Sequence, residues 1–334
     1  MAEAEVIKQA MSSWSVKEQC INLVFDTTAT NSSPLVGACL HLELYVGHLV
    51  LWSACRHHVY ELYIKKVTDV ILGDTDSPGV SLFKRLAKDW HGLQIDYNKL
   101  QTLNFDSLPD WVREEGKSVL KWAEQLLFTA TWVREDYKEF CQLVVVALGG
   151  KIDKFRFRLP GADHHARWLS KGIYLLKIFL LSSVFKLTVE EEEQVRRLVI
   201  FILVFYARPW MQAPVAAAAP RNDLNFHLNI LRYRKLEPVV AYRLLEVIRR
   251  HQWYLTAQWV PLALADKEVP EEEREDLAKT IYSFPREEIE SGKPEYPILE
   301  WTGVELKRPS MSGLVTKNSW LVVDLLGLQG AQVL

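Results

Sequence analysis

The sequence predicts a helix-dominated α/β fold: a small parallel sheet interrupted by a large helical insertion. Three observations predict it. Two short apolar runs rich in strand formers, "CINLVF" (20–25) and "HLVLWSA" (48–54), flank a segment with helical spacing. Most of the remaining chain carries its apolar residues at helical spacing. The composition, 49% apolar and 25% charged over 334 residues, is that of a globular chain able to bury a large core.

In chain order, the N-terminal stretch to residue 19 reads as a helix, and "CINLVF", bounded by Asp and Thr, as a strand. "PLVGACLHLELYVG" (34–47) opens with Pro at a first helical position and sets Leu35, Ala38, Leu42 and Tyr45 on one stripe, which predicts a helix. "HLVLWSA" is the second strand. A strand, a helix and a strand in this length make a right-handed parallel unit. Asp26 and the Cys55-Arg56-His57-His58 run then fall at the carboxyl ends of neighbouring strands, the edge where open α/β sheets place ligands.

Helices are expected over 58–72, 80–90, 106–128 and 134–150, the last stopped by Gly. Thr188 with Glu191 forms a capping box for a helix reaching residue 206. "RPWMQAPVAAAAPRND" reads as a loop, followed by helices over 224–234, 237–258 and 271–283. Residues 283–312 are rich in Pro, Gly and Glu and read as an irregular arm. The boundaries expected are 1–72 for a partial core, 73–235 for the helical insertion, 236–284 for C-terminal core helices, and 285–334 for the arm and an apolar end.

The net charge of −2 gives no global field toward nucleic acid, so such binding needs a local patch. Lys151, Lys154, Arg156 and Arg158, interleaved with Phe155 and Phe157, form one. The four cysteines, without paired spacing, suit a reducing compartment. The N-terminus has no apolar signal core, and the apolar runs 173–185 and 198–207 are too short or interrupted to cross about 30 Å of hydrocarbon. An intracellular protein, nuclear or cytoplasmic, is expected, with no membrane partner.

The combination "FDTTATN", "GACLHLE", "CRHH", "ADHHARWLSKGIYLLKIFL" and "WYLTAQWV" resembles DDE-type DNA transposases, closest to hAT-like elements, across most of residues 1–300. The resemblance implies a ribonuclease H-like core, here partial, and DNA as partner. It makes Asp26 the second catalytic acid, Cys55 and His58 the C-x-x-H signature, and Arg167-Trp168 the Arg-Trp pair before the final Glu. An intact family member uses two Mg²⁺ ions held by three carboxylates. This sequence departs from that pattern twice. No strand bearing a first Asp precedes the N-terminal helix, and Ala257-Gln258 stands where the final acid is expected. The resemblance therefore implies a truncated, catalytically inactive relative with no cofactor, whose Asp26 holds a metal weakly if at all.

Each of these residues also has a plainer reading. Asp26 can cap a turn with help from Asn31. Cys55 can be a small buried hydrophobe, and His58 a hydrogen-bonded helix-start residue. Trp168 can be core, and the basic segment a solvated arm. The second function these readings leave is a helical interaction module with no nucleic-acid role.

Overall fold

A computed structural model describes residues 2–73, 80–161, 169–251, 253–286, 289 and 310–328. The elements are α1 (Ala2–Ser13), β1 (Asn22–Phe25), α2 (Ala29–Ser32), α3 (Ala38–Val46), β2 (Leu51–Ala54), α4 (Arg56–Leu72), α5 (Ser81–Asp89), α6 (Asp110–Thr129), α7 (Glu135–Ala147), α8 (Ser170–Leu180), α9 (Val189–Phe201), α10 (Ala207–Met211), α11 (Ala219–Tyr233), α12 (Pro238–His251), α13 (Glu271–Ser283) and α14 (Trp320–Leu325). Helix dominates, and the two strands pair in parallel, Asn22 with Leu51 through Phe25 with Ala54. The chain divides into two compact units. The strand unit comprises Met1–Val59, Gln212–Leu231 and Leu245–Leu334; the helical unit comprises Tyr60–Met211 and Arg232–Leu244.

In the strand unit, the amides of Leu51 and Cys55 donate to the carbonyls of Ile21 and Phe25 at 2.9 and 2.7 Å. The alternation of a parallel ladder then turns the carbonyls of Trp52 and Ala54 away from β1. Side chains satisfy them. Trp253 and Trp259 both donate their indole N–H to Trp52 O, and Tyr254 donates its hydroxyl to Ala54 O at 2.6 Å. The core behind this segment gathers Leu255, Val260, Leu264, Leu277, Ile281 and Trp320.

These hydrogen bonds explain one departure from the expected elements. The helix expected over 237–258 ends at His251, and "WYLTAQWV" runs as short 3₁₀ turns over Trp253–Leu255 and Val260–Ala265. Aiming three aromatic donors at one strand edge requires a path that a straight α-helix does not follow. The helix expected over 34–47 also changes: it begins at Ala38, and Leu35 is 81% exposed rather than part of the buried stripe. The chain turns tightly over 33–37, where a Cβ on Gly37 would come within 2.6 Å of backbone atoms of Asn31 and Ser33, so glycine is required there. The N-terminal helix stops at Ser13, short of residue 19. Part of the loop expected over 208–223 is helical, because α11 starts at Ala219 with Pro220 in its first turn, where a missing N–H has no cost.

In the helical unit, α6 packs on α7, α7 on α8, and α8 on α9. Gly149, at φ +88°, lies in the turn that closes the end of α7. The capping box at the start of α9 is present with both its bonds: the Glu191 amide donates to Thr188 Oγ1, and the Thr188 amide to Glu191 Oε2. Beyond Phe201 the helix widens into a π-helix over Ile202–Tyr206 before resuming as α10. A charge pair is enclosed in this unit. Lys177, fully buried, lies 2.7 Å from Glu139 and donates to the carbonyl of Arg158 at 2.7 Å.

Candidate functional site

Asp26 follows the last residue of β1. The ladder bond from Cys55 N–H to Phe25 O sets it beside Cys55, directly after β2, and His58 lies in the first turn of α4. The two strand ends therefore bring Asp26, Cys55 and His58 to one edge. Phe25 anchors this edge from below, with ring centroids 6.0 Å from Trp52 and 5.5 Å from Trp253.

The carboxylate of Asp26 is committed locally. The Thr28 amide, the Thr28 hydroxyl and the Asn31 side-chain amide all donate to its Oδ1, at 3.1, 2.6 and 2.8 Å. This is an Asx-type turn that leads into α2. Burial pushes the carboxyl up, but those bonds and the charge of His58 outweigh it and hold Asp26 below the usual range. His58 is pushed down by burial, against the pull of Asp26. The Cys39 thiol is pushed up to about 12 by burial, reinforced by the charges of Glu43 and Asp26, so it is not a nucleophile.

A two-metal centre does not fit this donor set. Ions about 3.5–4 Å apart need several carboxylates converging on them. Glu43 is a second carboxylate close by, acting with Asp26 on the Cys39 thiol. No group of three His, Cys, Asp or Glu side chains among the described residues can hold a metal ion. Ala257 and Gln258 lie in the segment that covers the outer edge of β2. Gln258 is buried, and the Ala257 carbonyl accepts from Ser319 Oγ at 2.7 Å. Arg167 and Trp168 lie outside the described residues.

The basic candidates lie on an arm of the helical unit. Lys151, Lys154, Arg156 and Arg158 are exposed, while Phe155 between them is buried. The arm is fastened from below: Phe155 and Phe157 pack on each other and on Tyr97, and Phe157 meets Trp90 edge-on at 6.2 Å. Arg156 lies over the Tyr97 ring at 4.5 Å, and Arg158 pairs with Glu135 at 2.8 Å. Beside Arg158 opens a pocket of about 580 Å³, lined by Arg134, Glu135, Asp136, Glu139 and Leu159 among others. Sequence reasoning missed the polar groups set into this unit, Glu61 and the Lys177–Glu139 pair. The one signal they leave is Lys177, a lone charge inside the apolar run "IYLLKIFLL".

No family model, curated protein or solved structure matches this chain. No described helix is long and apolar enough to cross a membrane.

Proposed function

We propose that this chain is a transposase-derived DNA-binding protein that does not itself cut or join DNA, with β1, α3 and β2 as the remnant of a ribonuclease H-like core. The observation that carries the reading is the strand-end edge, where Asp26, Cys55 and His58 meet and, among the described residues, no group of side chains can hold a metal ion. Asp26, with one oxygen already taken by three donors, cannot by itself clamp both the attacking and the leaving oxygen of a phosphodiester. What remains is binding. The exposed arm with Lys151, Lys154 and Arg156 supplies positive charge on a firmly packed support.

Incubation with Mg²⁺ or Mn²⁺ and supercoiled or hairpin DNA tests the chemistry, and no nicking is expected. Ala257→Glu or Gln258→Glu alone does not restore it. Metal-dependent cleavage abolished by Asp26→Asn would refute the inactive reading. Binding is tested by fluorescence anisotropy: affinity falls steeply with salt, and each lost phosphate contact lowers the log–log salt slope by about one. Lys154→Glu with Arg156→Glu weakens all sequences alike.

A second reading has its own support. Trp14, Val24, Leu35 and Leu44, all in the first 50 residues, are 77%, 72%, 81% and 71% exposed. Such apolar exposure suits a protein-interaction module. No DNA binding at low salt would favour it.

A further inference from the structure

Three unusual features of the helical unit converge on one oxygen atom. The first is the start of α8. Its N-cap residue, Leu169, has φ 64° and provides no side-chain cap. The first turn carries no acid and does carry Lys171, the wrong charge for a helix N-terminus. By contrast, α9 starts with a complete capping box. The second is the π-helix over Ile202–Tyr206, a rare form that marks functional sites more often than chance. The third is a carboxylate set among apolar helices, Glu61 on α4. Its Oε1 accepts from the Leu169 amide at 2.8 Å, from the Tyr206 hydroxyl at 3.0 Å and from the Trp210 indole at 3.1 Å. Tyr206, Trp210 and Leu169 are fully buried. Glu61 thus supplies, from another helix, the cap that α8 lacks.

We propose that Glu61 is a positioning residue that acts as a charge-controlled latch on the first turn of α8: the carboxylate holds the turn, and loss of its charge loosens it while the unit stays folded. Three donors on one oxygen are charge-assisted bonds, and these weaken when the acceptor becomes a neutral carbonyl. Holding the charge there has an opposing cost. Burial pushes Glu61 above the usual carboxylate range, against the Leu169, Tyr206, Lys171 and Trp210 contacts that favour ionisation. Among the described residues, the groups facing it are Tyr206 from the π-helix, itself pushed up by burial and by Glu61, and Lys171 from α8. On its own helix, Lys65 pairs with Asp69.

The sign of the pH response follows. Because the folded value lies above the unfolded one, the contribution to overall stability is full below the ordinary value of 4.5 and is lost as pH rises through the folded value. Protection of the α8 first turn moves the other way, rising as Glu61 ionises. A purely structural contact would move both together.

The test is hydrogen exchange by mass spectrometry on the full chain, corrected for intrinsic rates, beside urea unfolding at each pH. In the wild type, first-turn protection is expected to rise while unfolding stability falls over the same interval. Glu61→Gln abolishes both trends and exchanges this turn roughly fivefold faster at neutral pH, the ratio between charge-assisted and neutral bonds. Tyr206→Phe, which keeps the carboxylate and removes one donor, shows a smaller increase in exchange. Unchanged protection in Glu61→Gln, or parallel pH trends in the wild type, would overturn the latch.

Discussion

Asp26 and Glu61 receive almost the same hydrogen bonds and respond in opposite ways. Each accepts three donors on a single carboxyl oxygen. Asp26 is held below its ordinary value, and Glu61 is raised above it. The donors differ in where they stand. Thr28 is exposed and Asn31 half-buried, so water shares the charge at the strand edge. Tyr206, Trp210 and Leu169 lie inside the helical unit, where no solvent does. Counting hydrogen bonds therefore does not predict a carboxylate's state; the surroundings of its donors decide.

The comparison can be broken most forcefully at Glu139, another buried carboxylate of the helical unit. Lys177→Met leaves Glu139 without its ammonium, and a loss of about 3–5 kcal/mol in urea unfolding is expected. Replacing both partners, with Lys177→Met and Glu139→Leu, recovers most of it, because apolar residues of similar volume suit this interior. A small effect of the single change would mean that water reaches the pair. Next comes Glu61→Ala, which strands three donors and is expected to cost about 3 kcal/mol at neutral pH.

On the strand side, Tyr254→Phe leaves the Ala54 carbonyl unsatisfied and costs about 1–3 kcal/mol. The smallest effect belongs to Asp26→Asn, about 1 kcal/mol or less, since Asn can still accept from Thr28. Its pH dependence sharpens the contrast with Glu61. A lowered folded value contributes stability that is present above the ordinary 3.8 and lost as pH falls through the folded value. Melting temperatures of wild type and Asp26→Asn should converge in acid and separate at neutral pH. A gap that persists at pH 2 would point to packing rather than charge.

The sheet was legible because each strand is a short β-rich run, the first bounded by Asp and Thr, and its parallel sense follows from the intervening helix. The Thr188 box was legible because capping is local chemistry. So was the turn at Asp26 with Asn31, five residues away. Other features depend on partners distant in sequence. Leu35 has good helical spacing, yet the close approach at Gly37 ends the turn after it. "WYLTAQWV" has helical composition, yet its donors answer to a strand some 200 residues earlier. Lys177 interrupts an apolar run, and nothing local in the sequence places Glu139 against it. The π-helix has no sequence signal, since it is one wide turn within "IFILVFY".

The side chains that cover Trp52 O and Ala54 O have a consequence for assembly. A strand edge is ordinarily a template, because each backbone group left over invites the next strand. Indole and phenol donors end that series, since they offer an incoming chain no repeating amide and carbonyl to read. The odd-numbered residues of β1 serve β2, so its even-numbered backbone groups face the other way. Templated growth of this sheet thus has a polarity. It is terminated on the β2 side and left open on the β1 side, next to the edge where Asp26 ends the strand.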